Sequence, residues 1–207
     1  MPKKRVSNAA AGKQSKGLMK YDNHQPVGNL RFSFESGEME GWELVEGDLS
    51  QPVTALPSLL SRPNEPFARH GGRHLSTLAF ANGSVSDKQA GVLQSPTFTL
   101  EGDRVAFLAA GGYDEETLFV ALVDADSDEI LIQGGGARDH QMRRVIWDVS
   151  KWKGRAVRFK IVDQNAAGWG HLNVDDFSAQ GTLVAAPEQA ESDGSRKQES
   201  VDRKPNF

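Results

Sequence analysis

Cysteine is absent from the 207 residues. That absence excludes a disulfide framework, a thiol nucleophile and any cysteine zinc site. Aromatic residues are sparse at 8%, with two tyrosines and four tryptophans, so the place of each tryptophan is informative. No run reaches the roughly 18 apolar residues of a membrane-spanning helix. The chain also lacks a P-loop, a G-x-S-x-G elbow and an H-E-x-x-H pair, the common signatures of nucleotide, acyl and zinc chemistry. No segment keeps a helical apolar stripe for a dozen residues.

Charge is present but unevenly spread. Residues 1–29 carry Lys3, Lys4, Arg5, Lys13, Lys16 and Lys20 against Asp22 alone, a local charge of +5. Residues 185–207 carry −1, and the whole chain −4, so residues 30–184 carry −8. An acidic body argues against a nucleic-acid surface, which needs clustered Lys and Arg. The arm, 1–29, is rich in Lys, Ser, Gly, Ala and Asn without a hydrophobic period and reads as disordered, as does the polar tail, 185–207. Pro2-Lys3-Lys4-Arg5 fits an import or polyanion-binding patch, or a solvated tail. The arm has no apolar h-region, so no secretory signal is expected in it. The body, residues 30–184, is long enough for one sizeable core.

Within the body the period is two. Leu30, Phe32 and Phe34 alternate with Arg31, Ser33 and Glu35, the pattern of a half-buried strand. Further strands are expected at 42–45, 75–80, 91–95, 97–100, 104–110, 117–124, 129–133, 144–148, 156–162 and 171–177, separated by Gly, Asp, Asn and Pro clusters. Asp124-Ala125-Asp126-Ser127-Asp128 marks a hairpin. The sequence therefore predicts an all-β fold, an antiparallel sandwich or barrel of about nine to eleven strands. One connection, Ser50 to about Gly72 with four prolines, is too long for a turn. It is either functional or draped over the sheet.

Few residues offer chemistry. His70 and His74 are the one close histidine pair, but positions four apart on a strand lie about 13 Å apart. They meet on a metal only if Gly71-Gly72 turns, and a satisfied or exposed pair is the simpler reading. A glycosidase needs two acids facing each other across a cleft, and neighbours such as Asp175 and Asp176 point to opposite faces of a regular strand. Asp176 shares the inward parity of Leu172 and Val174, where an unpaired carboxylate is costly. Its partner is either a cation or an arginine or turn. Calcium would serve, with Glu35 as a second ligand.

Trp147 reads as core, and Trp152 as the aromatic of a turn that locks a strand end. Trp169 stands between Gly168 and Gly170 and ahead of His171. Glycines on both sides let the backbone bend and expose an indole. Trp169 is either a core anchor or the platform of a sugar site. In the second case Asp163, Asn165 and His171, with Arg138, Asp139 or Arg143, supply the polar fork that such a site needs.

Four segments, in order, resemble a known set. They are Phe34-Glu35-Ser36-Gly37-Glu38-Met39-Glu40-Gly41-Trp42, then Gly91-Val92-Leu93-Gln94-Ser95-Pro96-Thr97-Phe98 with the Phe107–Gly112 stretch behind it. Asp148-Val149-Ser150-Lys151-Trp152-Lys153-Gly154 running to Val162-Asp163 follows, then Gly168-Trp169-Gly170-His171-Leu172-Asn173-Val174-Asp175-Asp176-Phe177. Over residues 30–180 the set is similar to jelly-roll carbohydrate-binding modules appended to levanases and other fructan-acting enzymes of glycoside hydrolase family 32. The resemblance implies a structural calcium between the first and last strands, placed at Glu35 and Asp176. It implies binding of terminal sugars, fructosides among them, and a secreted or periplasmic setting within a larger secreted or surface assembly.

The expectation is a non-catalytic, lectin-like module that binds carbohydrate and holds calcium, with no nucleic-acid partner and no membrane span. Two alternatives stand beside it. One is a protein-interaction sandwich that has lost the sugar site. The other is a glycosidase with an unrecognised carboxylate pair, Asp163 or Asp175 among its members.

Overall fold

Alternating apolar residues can all be buried only if each strand lays one face on a shared core. The computed structural model, which describes residues 25–56 and 67–185, realises this with eleven strands. They are β1 (Leu30–Phe32), β2 (Glu43–Asp48), β3 (Val53–Thr54), β4 (His74–Ser76), β5 (Ala90–Gln94), β6 (Phe98–Gly111), β7 (Leu118–Asp124), β8 (Ile130–Gly134), β9 (Asp139–Asp148), β10 (Ala156–Asp163) and β11 (Leu172–Leu183). A short 3-10 turn, Ser150–Trp152, joins β9 to β10.

Every strand pairing is antiparallel. One half of the sheet runs β2-β5-β10-β7-β8, and the other β9-β6-β11-β4-β3, with β1 alongside β11. The halves join where β10 meets β6, at Ala156↔Thr99 and Val157↔Phe98. Between them lies the main core. Phe107 of β6, Val120 and Leu122 of β7, Phe159 and Ile161 of β10 and Val174 and Phe177 of β11 all lose their entire solvent surface there. Trp42 packs into this core, stacked on Phe159 and tilted on Phe177 at 4.8 Å. Trp147 belongs to the same core, as expected, and Trp152 reaches it from the 3-10 turn. Both outer faces are also lined with buried apolar groups: Val92, Phe119, Ala121, Val123 and Val162 on one, Leu108, Ala110 and Met142 on the other.

Several sequence expectations change in detail. The strands expected at 97–100 and 104–110 are one strand, β6, which runs through Glu101-Gly102-Asp103. β11 does not stop at Phe177 but continues to Leu183. The parity break at Phe177 is a β-bulge: the register with β6 shifts between Asp175 and Ser178, and Asp176 takes a left-handed φ of 50°. The extra residue places Phe177, not Asp176, on the core face. The sequence extends the arm through residue 29, yet Asn29 is tied to β11 in both directions. Its Nδ2 donates to the Gly181 carbonyl (2.9 Å), and the Gly181 N–H donates to its Oδ1 (3.0 Å). Residues 1–24 of the arm, 186–207 of the tail and 57–66 of the long connection lie outside the described residues.

The far end of that connection is draped over the outer face of β9-β6-β11-β4. Phe67 joins the Leu108–Met142 cluster, its carbonyl accepts the Met142 N–H (2.8 Å), and its ring meets His74 edge-on at 4.8 Å. Arg69 donates to the Ala55 carbonyl at 2.8 Å, closing the connection back on itself.

Candidate ligand site at the loop end of the sandwich

Along β10 the residues Phe159, Ile161 and Asp163 share the inward face, so the strand delivers a carboxylate to the end of the core. Asp163 has no exposed surface. Its Oδ1 accepts the Asn165 N–H (3.2 Å), while Oδ2 meets no hydrogen-bond partner of good geometry among the described residues. Burial pushes this carboxyl up to about 7. The Thr77 hydroxyl and the Asn165 N–H hold it lower than burial alone would, and the nearby charge of Asp87 raises it. Asn165 is half-buried and braces two loops: its Nδ2 donates to Thr117 Oγ1 (3.0 Å), and its Oδ1 accepts the Ala167 N–H (2.9 Å).

Above this floor three connections are drawn together through glycines. A side chain at Gly111 would strike the His171 carbonyl, one at Gly112 the Trp169 carbonyl, and one at Gly136 the Gly111 carbonyl. The turns before β7, β9 and β11 therefore close over one end of the sandwich. Trp169 sits there, half-buried, with a left-handed φ of 69°. It is not part of the hydrophobic core. Its indole packs on two imidazoles, His140 at 4.7 Å with a 35° tilt and His171 at 6.0 Å with a 20° tilt. His171 is buried, and its Nδ1 lies 2.5 Å from Oδ1 of Asp87, a residue of the β4–β5 connection. Burial lowers the His171 pKa, with Asp87 opposing and His140 adding to the shift.

Trp169, His171, Asp163 and Asn165, all expected as site residues, thus gather at one end. Asp139 and Arg143 pair with each other on β9, each about one-third exposed, where the register of β9 with β6 shifts. Burial would raise the Asp139 carboxyl, but the Gln141 N–H and the Arg143 guanidinium hold it below its usual value. Arg138 is exposed, with its N–H on the Gly111 carbonyl (2.8 Å). Asp87 and His140 were not singled out in the sequence. Asp87 lies 84 residues from His171, and nothing in the local pattern marks it.

The residues expected to hold calcium are arranged differently from the expectation. The bulge puts Asp175 and Asp176 on the same outer face, against the rule for a regular strand, and both are fully buried. Asp176 Oδ1 accepts Arg31 Nε (2.5 Å), and Oδ2 accepts Arg144 Nη2, so both oxygens face guanidinium groups. A divalent cation does not fit between two such neighbours, and the arginine partner left open above is the one found. Glu35 instead accepts the N–H groups of Gly72 (2.9 Å) and Arg73 (2.9 Å). Burial would raise the Glu35 carboxyl. Those N–H groups, with His70 and Arg69, outweigh it and hold the group below its usual value. The His70 N–H from the same turn goes to Asp175 Oδ2 (2.7 Å). Burial pushes Asp175 up to about 8; its N–H donors oppose this, and the charges of Asp176 and Glu35 add to it. His70 and His74 do not converge on a metal. His74 is buried on Phe67, and burial with the Arg69 charge lowers its pKa to about 3. Among the described residues no three His, Asp or Glu side chains are grouped to hold a metal ion. No described helix is long and apolar enough to cross a membrane.

No family model matches the chain. It is 30% identical over 169 residues to a protein of Aspergillus rugulosus named "Putative glycosyl hydrolase ecdE". The match takes in 78% of this chain but only 22% of that protein's length. Among solved structures the chain is similar to the K1 cleaved adhesin domain of Lys-gingipain from Porphyromonas gingivalis (15% identity, TM-score 0.46, 73% of this chain and 98% of that one). It is also similar to TmCBM61 in complex with beta-1,4-galactotriose (16%, TM-score 0.45, 76% and 97%). A third is the CBM22-1 xylan-binding domain of Xyn10C from Paenibacillus barcinonensis (13%, TM-score 0.39, 78% and 99%). Likenesses this distant do not carry a function across.

Proposed function

We propose that this chain is a non-catalytic carbohydrate-binding module whose sugar docks on Trp169 at the loop end of the sandwich. One observation carries the reading. A tryptophan outside the hydrophobic core is held half-exposed in a backbone conformation that costs about 1–2 kcal/mol for a non-glycine residue. Structure that holds such a residue at the loop end of the sandwich suits an aromatic surface for a sugar ring. Asp163 and Asn165 then act as floor and brace, since their polar groups are largely used within the fold. Asp163 and Asp175 have no exposed surface, which favours binding over hydrolysis by either carboxylate. Fructans, or other glycans with accessible terminal sugars, are the ligands the ordered sequence motifs favour. The fungal relative, being much longer, is compatible with an accessory module beside a separate catalytic part.

For calcium, Glu35 and Asp175 are, among the described residues, the neighbouring carboxylates that carry no guanidinium hydrogen bond; an ion there would displace the main-chain N–H groups that now bond their oxygens. Their charges act on one another, and the 70–73 turn binds both. Main-chain carbonyls and water would complete the shell of six to eight oxygens, and the ion would add a cross-link between the end of β1 and β11.

The test is affinity electrophoresis of the full chain in gels containing levan, inulin, β-1,4-galactan or xylan. Retardation by one of them is expected, with Kd on the order of 10 μM to 1 mM given the few polar contacts. Trp169→Ala should remove it and leave the melting temperature within a few degrees. Free migration of the folded protein in all four gels would overturn the reading.

A further inference from the structure

The conformation of Trp169 raises the question of what holds it. Its main chain is fixed by the turn in which the Gly170 N–H bonds the Ala167 carbonyl (2.7 Å), and by the close approach of Gly112. Its ring rests on His140 and His171. His171 is in turn held by a carboxylate, and that carboxylate stands on a well-anchored segment. Beside Asp87, the Ser86 N–H bonds the Leu78 carbonyl (3.0 Å). Gln89, two residues on, is buried, with Nε2 donating to the Ala79 carbonyl (2.8 Å) and Oε1 accepting the Ser50 N–H (3.0 Å).

We propose that Asp87 is the positioning residue of the ligand end, fixing the His171 imidazole on which Trp169 rests. This deepens the carbohydrate reading and rests on it for the ligand, though not for the geometry. The chemistry dictates one tautomer. A proton on Nδ1 is donated to the carboxylate and leaves Nε2 as an acceptor. A proton on Nε2 would set the Nδ1 lone pair against a carboxylate oxygen at 2.5 Å and would bury an N–H donor that meets no acceptor among the described residues. A carboxylate behind an imidazole, fixing its tautomer and orientation, is a recurring way of holding a working group still. Here the group it stills is the surface offered to the sugar, and a surface already in its bound geometry spares the ligand the cost of ordering it.

Two readouts on the full-length protein test this. The first needs no ligand: long-range 1H–15N spectra of the imidazoles, with iodide quenching of the Trp169 fluorescence assigned by difference from Trp169→Phe. In the native protein His171 should show a protonated Nδ1 and an acceptor-type Nε2. Asp87→Asn should shift that balance and make Trp169 more quenchable, and Asp87→Glu should restore both in part. The second is affinity electrophoresis in levan, where Asp87→Asn should weaken retention by about fivefold, the worth of roughly one hydrogen bond, and Asp87→Glu should recover part of it. An Nε2–H tautomer in the native protein overturns the proposal, as does an Asp87→Asn protein with unchanged spectra and unchanged quenching. Levan retention that is present in the native protein and unaffected by Asp87→Asn also overturns it. If no glycan is retained but the spectra respond as expected, the carbohydrate reading fails and the positioning role stands.

Discussion

At the scale of single residues, the most informative groups are titratable side chains that the fold keeps uncharged. Asp163 ends β10 on the inward face and is shifted up to about 7 by burial. Its folded value lies above the unfolded one of 3.8, so the unfolded chain releases this proton first. Its contribution is fully present below pH 3.8 and is lost as pH rises toward 7, at about 1.4 kcal/mol per pH unit. Asp163→Asn should therefore match the native melting temperature near pH 4 and exceed it at pH 8. Equal melting curves at both pH values would contradict the assignment. His74 has the opposite sign. Its folded pKa of about 3 lies below the unfolded 6.5, so stability is lost as pH falls from 6.5 toward 3. His74→Gln should flatten that acid limb in thermal melts taken every half unit from pH 7 to 4.

At the scale of elements, the bulge in β11 decides where two adjacent acids go. A regular strand would have sent Asp176 into the core between Val174 and Ser178. The inserted residue instead sends Phe177 there, stacked on Phe107 at 5.2 Å, and turns Asp176 outward to Arg144 and Arg31. Arg144 is itself nearly fully buried, and although its Nη1 also donates to the main-chain carbonyl of residue 176 (3.1 Å), removing the Asp176 carboxylate takes a charge partner from a buried cation. Asp176→Ala and Arg144→Ala should each cost about 3–5 kcal/mol in urea melts, as expected when one member of a buried ion pair is deleted. The double variant should cost clearly less than their sum, because the two share one interaction. Arg31→Ala should cost less than either, since its side chain is 34% exposed and solvent screens the pair.

At the scale of the whole molecule, β11 connects the parts. It pairs with β1, β4 and β6, its bulge carries the acidic pair, and its entry turn carries Trp169. An ion between Glu35 and Asp175 would clamp the start of the sandwich to this strand. A calcium chelator should then lower the melting temperature of the native protein by several degrees. Glu35→Gln and Asp175→Asn should each abolish that response, and Asp176→Asn should leave it in place. A melting curve indifferent to chelator would remove the ion from the account.

Much of this architecture was legible in the order of residues, because strand alternation is a local property. Burial of every second residue shows as a period of two whatever the strands pair with, and Gly, Asp and Pro clusters mark the turns. The position of Trp169 between glycines was legible for the same reason. What lay beyond the sequence depends on contacts between distant segments. β3 is two residues long and exists as a strand because β4 lies beside it. The partners of Asp176 come from two other strands, and the rule that adjacent side chains point apart gave the wrong face because a bulge is a feature of pairing, not of composition. Asp87 looks like any acid in a polar turn until the fold carries it to within 2.5 Å of a histidine 84 residues away. Local sequence could specify the strands and the turns. Which buried charge meets which partner follows from the register and closure of the sheets, and those arise only when the chain packs as a whole.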